Sequence, residues 1–148
     1  MIKKPQLNNK PVKPDNSNLI PIANFENVIL GRQRVREMMN SLGFSLLDQT
    51  RIVTAVSELA RNIVVHAGGC GEMIISAIEK NNKKGIECIF KDQGKGIADV
   101  NMALQKGFST SNSLGLGLSG AKNLCQEFEI NSVVGKGTQV TIREWVKR

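Results

Sequence analysis

The sequence predicts an α+β domain in which helices cover one face of a mixed, mostly antiparallel sheet. Two long stretches of helical apolar periodicity come early and hairpin signals come later. No regular strand–helix–strand alternation joins them, which sets the chain apart from a doubly wound α/β fold. A length of 148 residues suits a single core.

Residues 1–17 combine Lys, Pro and Asn with few apolar groups and are expected to form a flexible basic arm, leaving 18–148 as the domain. Leu19, Ile20, Ile22 and Phe25 suggest a first short strand, which Pro21 confines to a sheet edge. Val28, Leu30, Val35, Met38, Met39 and Leu42 have helical spacing, and Gly43 supplies a stop. A stronger helix is expected from Leu46 to Ala67, with Ile52, Val53, Val56, Leu59, Ala60, Ile63 and Val64 as its buried stripe and Gly68–Gly69 as its end. Strands then follow at Met73–Glu79 and Ile86–Lys91, joined through Asn81–Gly85. A glycine-rich stretch, Gly94–Gly117, holds one short helix near Val100–Leu104. Helical order resumes from Leu118 to Phe128, and strands at Ile130–Val134 and Gln139–Val146 close the chain around Gly135 and Gly137.

Composition narrows the function. Hydrophobic residues at 41% and charged residues at 22% describe a globular chain, and no apolar run reaches the roughly 20 residues that span a bilayer. A cytoplasmic protein without membrane insertion is expected. The net charge of +7 owes much to Lys3, Lys4, Lys10 and Lys13 in the arm, and no basic run is interleaved with aromatics, which argues against nucleic acid. Cys70, Cys88 and Cys125 are odd in number and widely spaced, so neither a disulfide framework nor a zinc site is indicated. His66 is the one histidine and no G-x-S-x-G elbow exists, which disfavours a serine hydrolase.

Four short motifs could carry chemistry. Glu58 and Asn62 are four apart on the second helix and share a face, continued by His66; alone, such a pair is an ordinary solvated face. Asp92-Gln93-Gly94-Lys95-Gly96-Ile97 puts a carboxylate at a strand end beside two glycines, a common turn composition that also suits close approach to a ligand. Gly115-Leu116-Gly117-Leu118-Ser119-Gly120 matches G-x-G-x-x-G and opens a helix whose amides attract phosphate. It lacks the preceding strand of a dinucleotide fold, since Ser109, Thr110, Ser111, Asn112 and Ser113 stand there instead as a lid candidate. Gly135-Lys136-Gly137-Thr138 lacks Walker A spacing and precedes a strand.

In this order, the four motifs resemble the N, G1, G2 and G3 boxes of the GHKL ATPase and kinase superfamily. Within it, SELARNI, DQGKGI, GFSTSNSLGLGLSGAKNL and SVVGKGT look most like the RsbT-type serine/threonine switch kinases, relatives of the anti-sigma factor kinases. The resemblance covers roughly Val28 to Trp145 and implies a two-layer α/β sandwich of the Bergerat, histidine-kinase-like ATPase type. It implies ATP with Mg²⁺, and phosphorylation of a serine or threonine on a STAS-domain antagonist, with a phosphatase or sigma factor as alternate partner. Carried over by position, Glu58 would be catalytic, orienting or deprotonating the attacking hydroxyl, and Asn62 would be the Mg²⁺ ligand. Asp92 would hold the adenine amino group with Thr138 in support, and Gly94, Gly96 and Ile97 would pack beside the base. Ser109, Thr110 and Ser111 would lie in the lid, and Gly115, Leu116, Gly117 and Leu118 would meet the phosphates. The sequence identifies no cation for the γ-phosphate; Arg61 and Lys106 are guesses. A sensor histidine kinase would need a phosphoacceptor histidine outside the N box, and gyrase-like machines need a transducer domain. An anti-sigma factor and a non-catalytic nucleotide-dependent binding module remain as alternatives.

Overall fold

The computed structural model describes residues 18–105 and 117–147. The element order is β1 (Leu19–Ile22), α1 (Phe25–Leu42), α2 (Leu46–His66), β2 (Gly71–Lys80), β3 (Lys83–Asp92), α3 (Val100–Ala103), α4 (Gly117–Leu124), β4 (Glu127–Val133) and β5 (Gly137–Trp145). The strands form one sheet in the order β1-β2-β3-β5-β4. Every pairing among the described residues is antiparallel, so the expected mixed character is absent.

The large apolar side chains of the three central strands alternate along the chain. Met73, Ile75, Ile86, Cys88, Phe90, Val140 and Ile142 are buried beneath the helices. On the opposite face Arg143 bonds Glu87 across the β3–β5 pair at 2.8 Å and Glu127 of β4 at 3.3 Å. One face of the sheet is therefore core and the other carries cross-strand ion pairs. Ile52, Val53, Val56, Leu59 and Ile63 of α2 fill the space above the core face, each worth about 1.5–3 kcal/mol of burial.

Three element boundaries differ from expectation, each for a local reason. Phe25 opens α1 instead of ending β1, because Asn24 is an N-cap: its side chain accepts from Asn27 N–H at 3.0 Å while Asn27 Oδ1 accepts from Asn24 N–H at 3.2 Å. The β2–β3 connection is only Asn81–Asn82, both at positive φ (53° and 66°), the conformation of a two-residue hairpin turn that matches strand twist.

The third boundary rests on a long-range network. Phe128 lies in β4, not in the helix ending before it, because Arg51 of α2 donates to the Leu124 carbonyl and Glu144 of β5 accepts from Gln126 N–H at 2.9 Å. Arg51 also binds the carboxylates of Glu144 and Asp48, whose side chains are almost fully buried. The Arg51 hydrogen bond holds the Asp48 carboxyl below its ordinary pKa. Arg51→Ala strands the Glu144 carboxylate in the core and is expected to cost about 3 kcal/mol or more in urea denaturation at neutral pH. The share carried by Asp48 is full above the ordinary carboxylate range and is lost as pH falls through the lowered folded-state pKa. The gap between wild type and variant should therefore narrow when the curves are repeated in acid.

Candidate functional site

The strand registers set Gly71, Asp92, Thr138 and Ser132 side by side in one row across β2, β3, β5 and β4, on the helix-covered face. Two residues along from Phe90 and Val140, this row is where the core gives way to a cavity. The cavity measures about 510 Å³ and lies between the end of the sheet, the C-terminal half of α2, the loop 93–99, α3 and the start of α4.

Its inner wall is apolar, made by Leu59, Ile63, Phe90 and Val140. Polar groups converge from two sides: Asn62 and His66 from α2, Asp92 and Thr138 from the sheet. Such a mainly apolar cleft with a few directed polar groups is the usual form of a small-molecule site. Asp92 Oδ1 accepts the backbone N–H groups of Gly94 at 2.9 Å and Thr138 at 3.3 Å, so the carboxylate is oriented by the turn it begins. Neither bond uses Oδ2.

The loop after Asp92 is stitched to the β4–β5 hairpin. Ile97 N–H donates to Ser132 Oγ at 2.7 Å, and Gly135 N–H donates to the Lys95 carbonyl at 2.8 Å. Gly96 has φ 80°, and a Cβ there would collide with the Val133 carbonyl; Gly137 has φ 127°, and a Cβ there would collide with the Asp92 carbonyl. The two glycines let three backbone segments touch at one point beside the cavity.

Of the residues singled out in the sequence, Asn62, Asp92, Gly94, Gly96, Ile97, Gly117, Leu118 and Thr138 all line this cavity. Glu58 does not. It sits one turn before Asn62 on α2, where its Oε1 is buried with no hydrogen-bond partner among the described residues. Ser109, Thr110, Ser111, Gly115, Leu116 and Lys106 lie outside the described residues. Arg61, the other cation candidate, places its guanidinium 5.6 Å over the ring of Phe25 on α1 and does not line the cavity. Lys95 is exposed and stands on the cavity rim. Sequence reasoning missed Ser132 and the α3 residues Met102 and Ala103. For Ser132 the available signal was its place one strand away from Thr138 across a short glycine turn.

Residues 47–147 match the histidine kinase-, DNA gyrase B-, and HSP90-like ATPase family. The chain belongs to this family. It is 45% identical to serine/threonine-protein kinase RsbT of Bacillus subtilis over 81% of its own length and 90% of that protein. It is also 33% identical to the anti-sigma F factor of Caldanaerobacter subterraneus, over 86% of the chain and 91% of the relative. With the anti-sigma F factor of Shouchella clausii it shares 30% identity over 86% and 90% of the two chains. Within the ATPase family the chain thus falls in the group of the RsbT kinase, and the all-antiparallel sheet under helices is its Bergerat fold. Among the described residues, no helix is long and apolar enough to cross a membrane.

Proposed function

We propose that the chain is a cytoplasmic, ATP- and Mg²⁺-dependent serine/threonine kinase of a bacterial partner-switching pathway, with a STAS-domain antagonist as its protein substrate and residues 18–148 as the catalytic domain. The observation that carries this reading is the cavity lining: Asp92, oriented by two amides, from the sheet, and Asn62 from α2, with the Glu58 carboxylate oxygen, buried without a partner among the described residues, one turn before it. The kinship with RsbT supplies the acceptor class.

The residues fit a magnesium ion shared with phosphate. Among the described residues no three His, Cys, Asp or Glu side chains could hold a metal alone, whereas the Asn62 amide oxygen is a hard, neutral donor that leaves room for phosphate and water ligands. Mg²⁺ bound there would neutralise charge on the phosphate chain. Asp92 Oδ2 would accept a hydrogen bond from the adenine amino group, and Gly117 and Leu118 would offer the first amides of α4 to phosphate oxygens. Glu58 accepts the proton of the attacking hydroxyl as its oxygen bonds to the γ-phosphorus and the bond to the β-bridging oxygen breaks, releasing ADP.

A second reading has its own support, since several relatives are anti-sigma F factors at 28–33% identity. In it the same domain also binds a sigma subunit. Incubation with γ-labelled ATP, Mg²⁺ and purified STAS-domain proteins decides. Label on a serine or threonine of one of them is expected. ATP binding without transfer to any STAS protein would sink the kinase assignment, and capture of a sigma factor would favour the second reading.

A further inference from the structure

Ser132 contributes a hydroxyl to the row that carries Asp92 and Thr138. That hydroxyl meets three groups: it accepts from Ile97 N–H at 2.7 Å, lies 2.7 Å from Thr138 Oγ1, and faces the Gly137 carbonyl at 3.1 Å. We infer that Ser132 is a positioning residue for nucleobase selection, fixing the Thr138 hydroxyl beside Asp92 and pinning the loop at Ile97 to the β4–β5 hairpin. This deepens the nucleotide reading of the cavity and rests on it.

A serine hydroxyl has one proton and two lone pairs. The Ile97 amide occupies one lone pair. When the proton goes to the Gly137 carbonyl, Thr138 donates to Ser132 and turns its own lone pairs to the cavity. When the proton goes to Thr138, the threonine keeps its proton for the cavity. Of the two acceptors open to the Ser132 proton, Thr138 Oγ1 at 2.7 Å is nearer than the Gly137 carbonyl at 3.1 Å, which favours the second arrangement and leaves Thr138 a donor toward the cavity. A 6-aminopurine edge offers an amino donor next to a ring-nitrogen acceptor. Its complement is a carboxylate acceptor, Asp92, beside a hydroxyl donor, Thr138. A 6-oxopurine reverses both positions and meets mismatched partners.

Removing the Ser132 hydroxyl frees the Thr138 rotor and deprives the Ile97 amide of its acceptor. In equilibrium titrations, Ser132→Ala is expected to raise the Kd for ATP roughly five- to tenfold, the scale of one hydrogen-bond contribution. The Kd for inosine triphosphate, whose 6-oxo group gives Asp92 no donor, should change by less than about twofold, so the preference for ATP narrows. Ser132→Thr retains the hydroxyl and should bring ATP affinity back to within about twofold of wild type. Melting of the unliganded variants reports whether the hairpin is intact; should Ser132→Ala not fold, Ser132→Cys keeps the volume with a much weaker hydrogen-bonding group and carries the same expectation. Equal weakening for both nucleotides, or unchanged ATP affinity in a folded variant, overturns the inference and leaves the nucleotide site standing. Failure of the wild-type protein to bind ATP overturns the nucleotide reading and this inference with it.

Discussion

Glu58→Gln is expected to leave ATP affinity within a few-fold of wild type while lowering phosphoryl transfer by about a hundredfold or more, the usual contribution of a positioned general base. The two halves of this expectation come from separate observations. Glu58 does not line the cavity, so its loss removes no contact with bound nucleotide. Its Oε1 is nevertheless buried without a partner among the described residues, on the turn of α2 preceding Asn62. A buried acceptor left unpaired costs free energy in the resting protein, and an incoming hydroxyl is the donor that would satisfy it. Glutamine keeps the shape and one acceptor but cannot take up a proton. Parallel measurement of nucleotide Kd and the single-turnover transfer rate separates the effects. A variant that transfers at the wild-type rate would remove Glu58 from the mechanism.

Asp92→Asn should act on the other half of the reaction, weakening ATP binding by about a hundredfold or more, as expected when a donor is made to face a donor in a buried site. The amide oxygen of asparagine can still accept from Gly94 and Thr138, so the turn after β3 keeps its hydrogen bonds. Its nitrogen then occupies the Oδ2 position and, in the proposed binding mode, points a donor at the adenine amino group. Unchanged melting of the unliganded variant with lost ATP binding is the expected pair of results, read by calorimetry. Retained affinity would mean that Asp92 only orders the turn.

What could be read in advance depended on how local the cause was. The α2 helix was legible because its apolar stripe repeats within a few residues, and Ile52 through Ile63 are buried as that period requires. The i,i+4 relation of Glu58 and Asn62 was equally plain, yet the period does not say where along a shared face a cavity ends. The structure divides them, with Asn62 at the cavity and Glu58 behind it. The tight Asn81–Asn82 turn was blurred because Lys83, Lys84 and Gly85 extend the polar run, while backbone conformation alone decides where the strand begins. The end of α4 was illegible for a different reason. It is fixed by Arg51 and Glu144, which lie 73 residues before Leu124 and 18 residues after Gln126 respectively. Ser132 shares that difficulty, since its partners Ile97 and Thr138 come together only through strand register. The motif resemblance assigned roles to Asp92 and Thr138 but none to Ser132, although the serine opens the string SVVGKGT.

The α2 helix carries Arg51, which holds the end of α4, and also Asn62, which lines the cavity, with Glu58 one turn before it. Those duties occupy one rigid rod with a turn of 3.6 residues. Gaining or losing a single residue between Arg51 and Glu58 would swing one group about 100° around the axis relative to the other. The surface turn at Asn81–Asn82 is under no such constraint. In descent, the spacing from Arg51 to Asn62 is therefore a ruler that can change its letters but not its length, whereas the hairpin is free to grow.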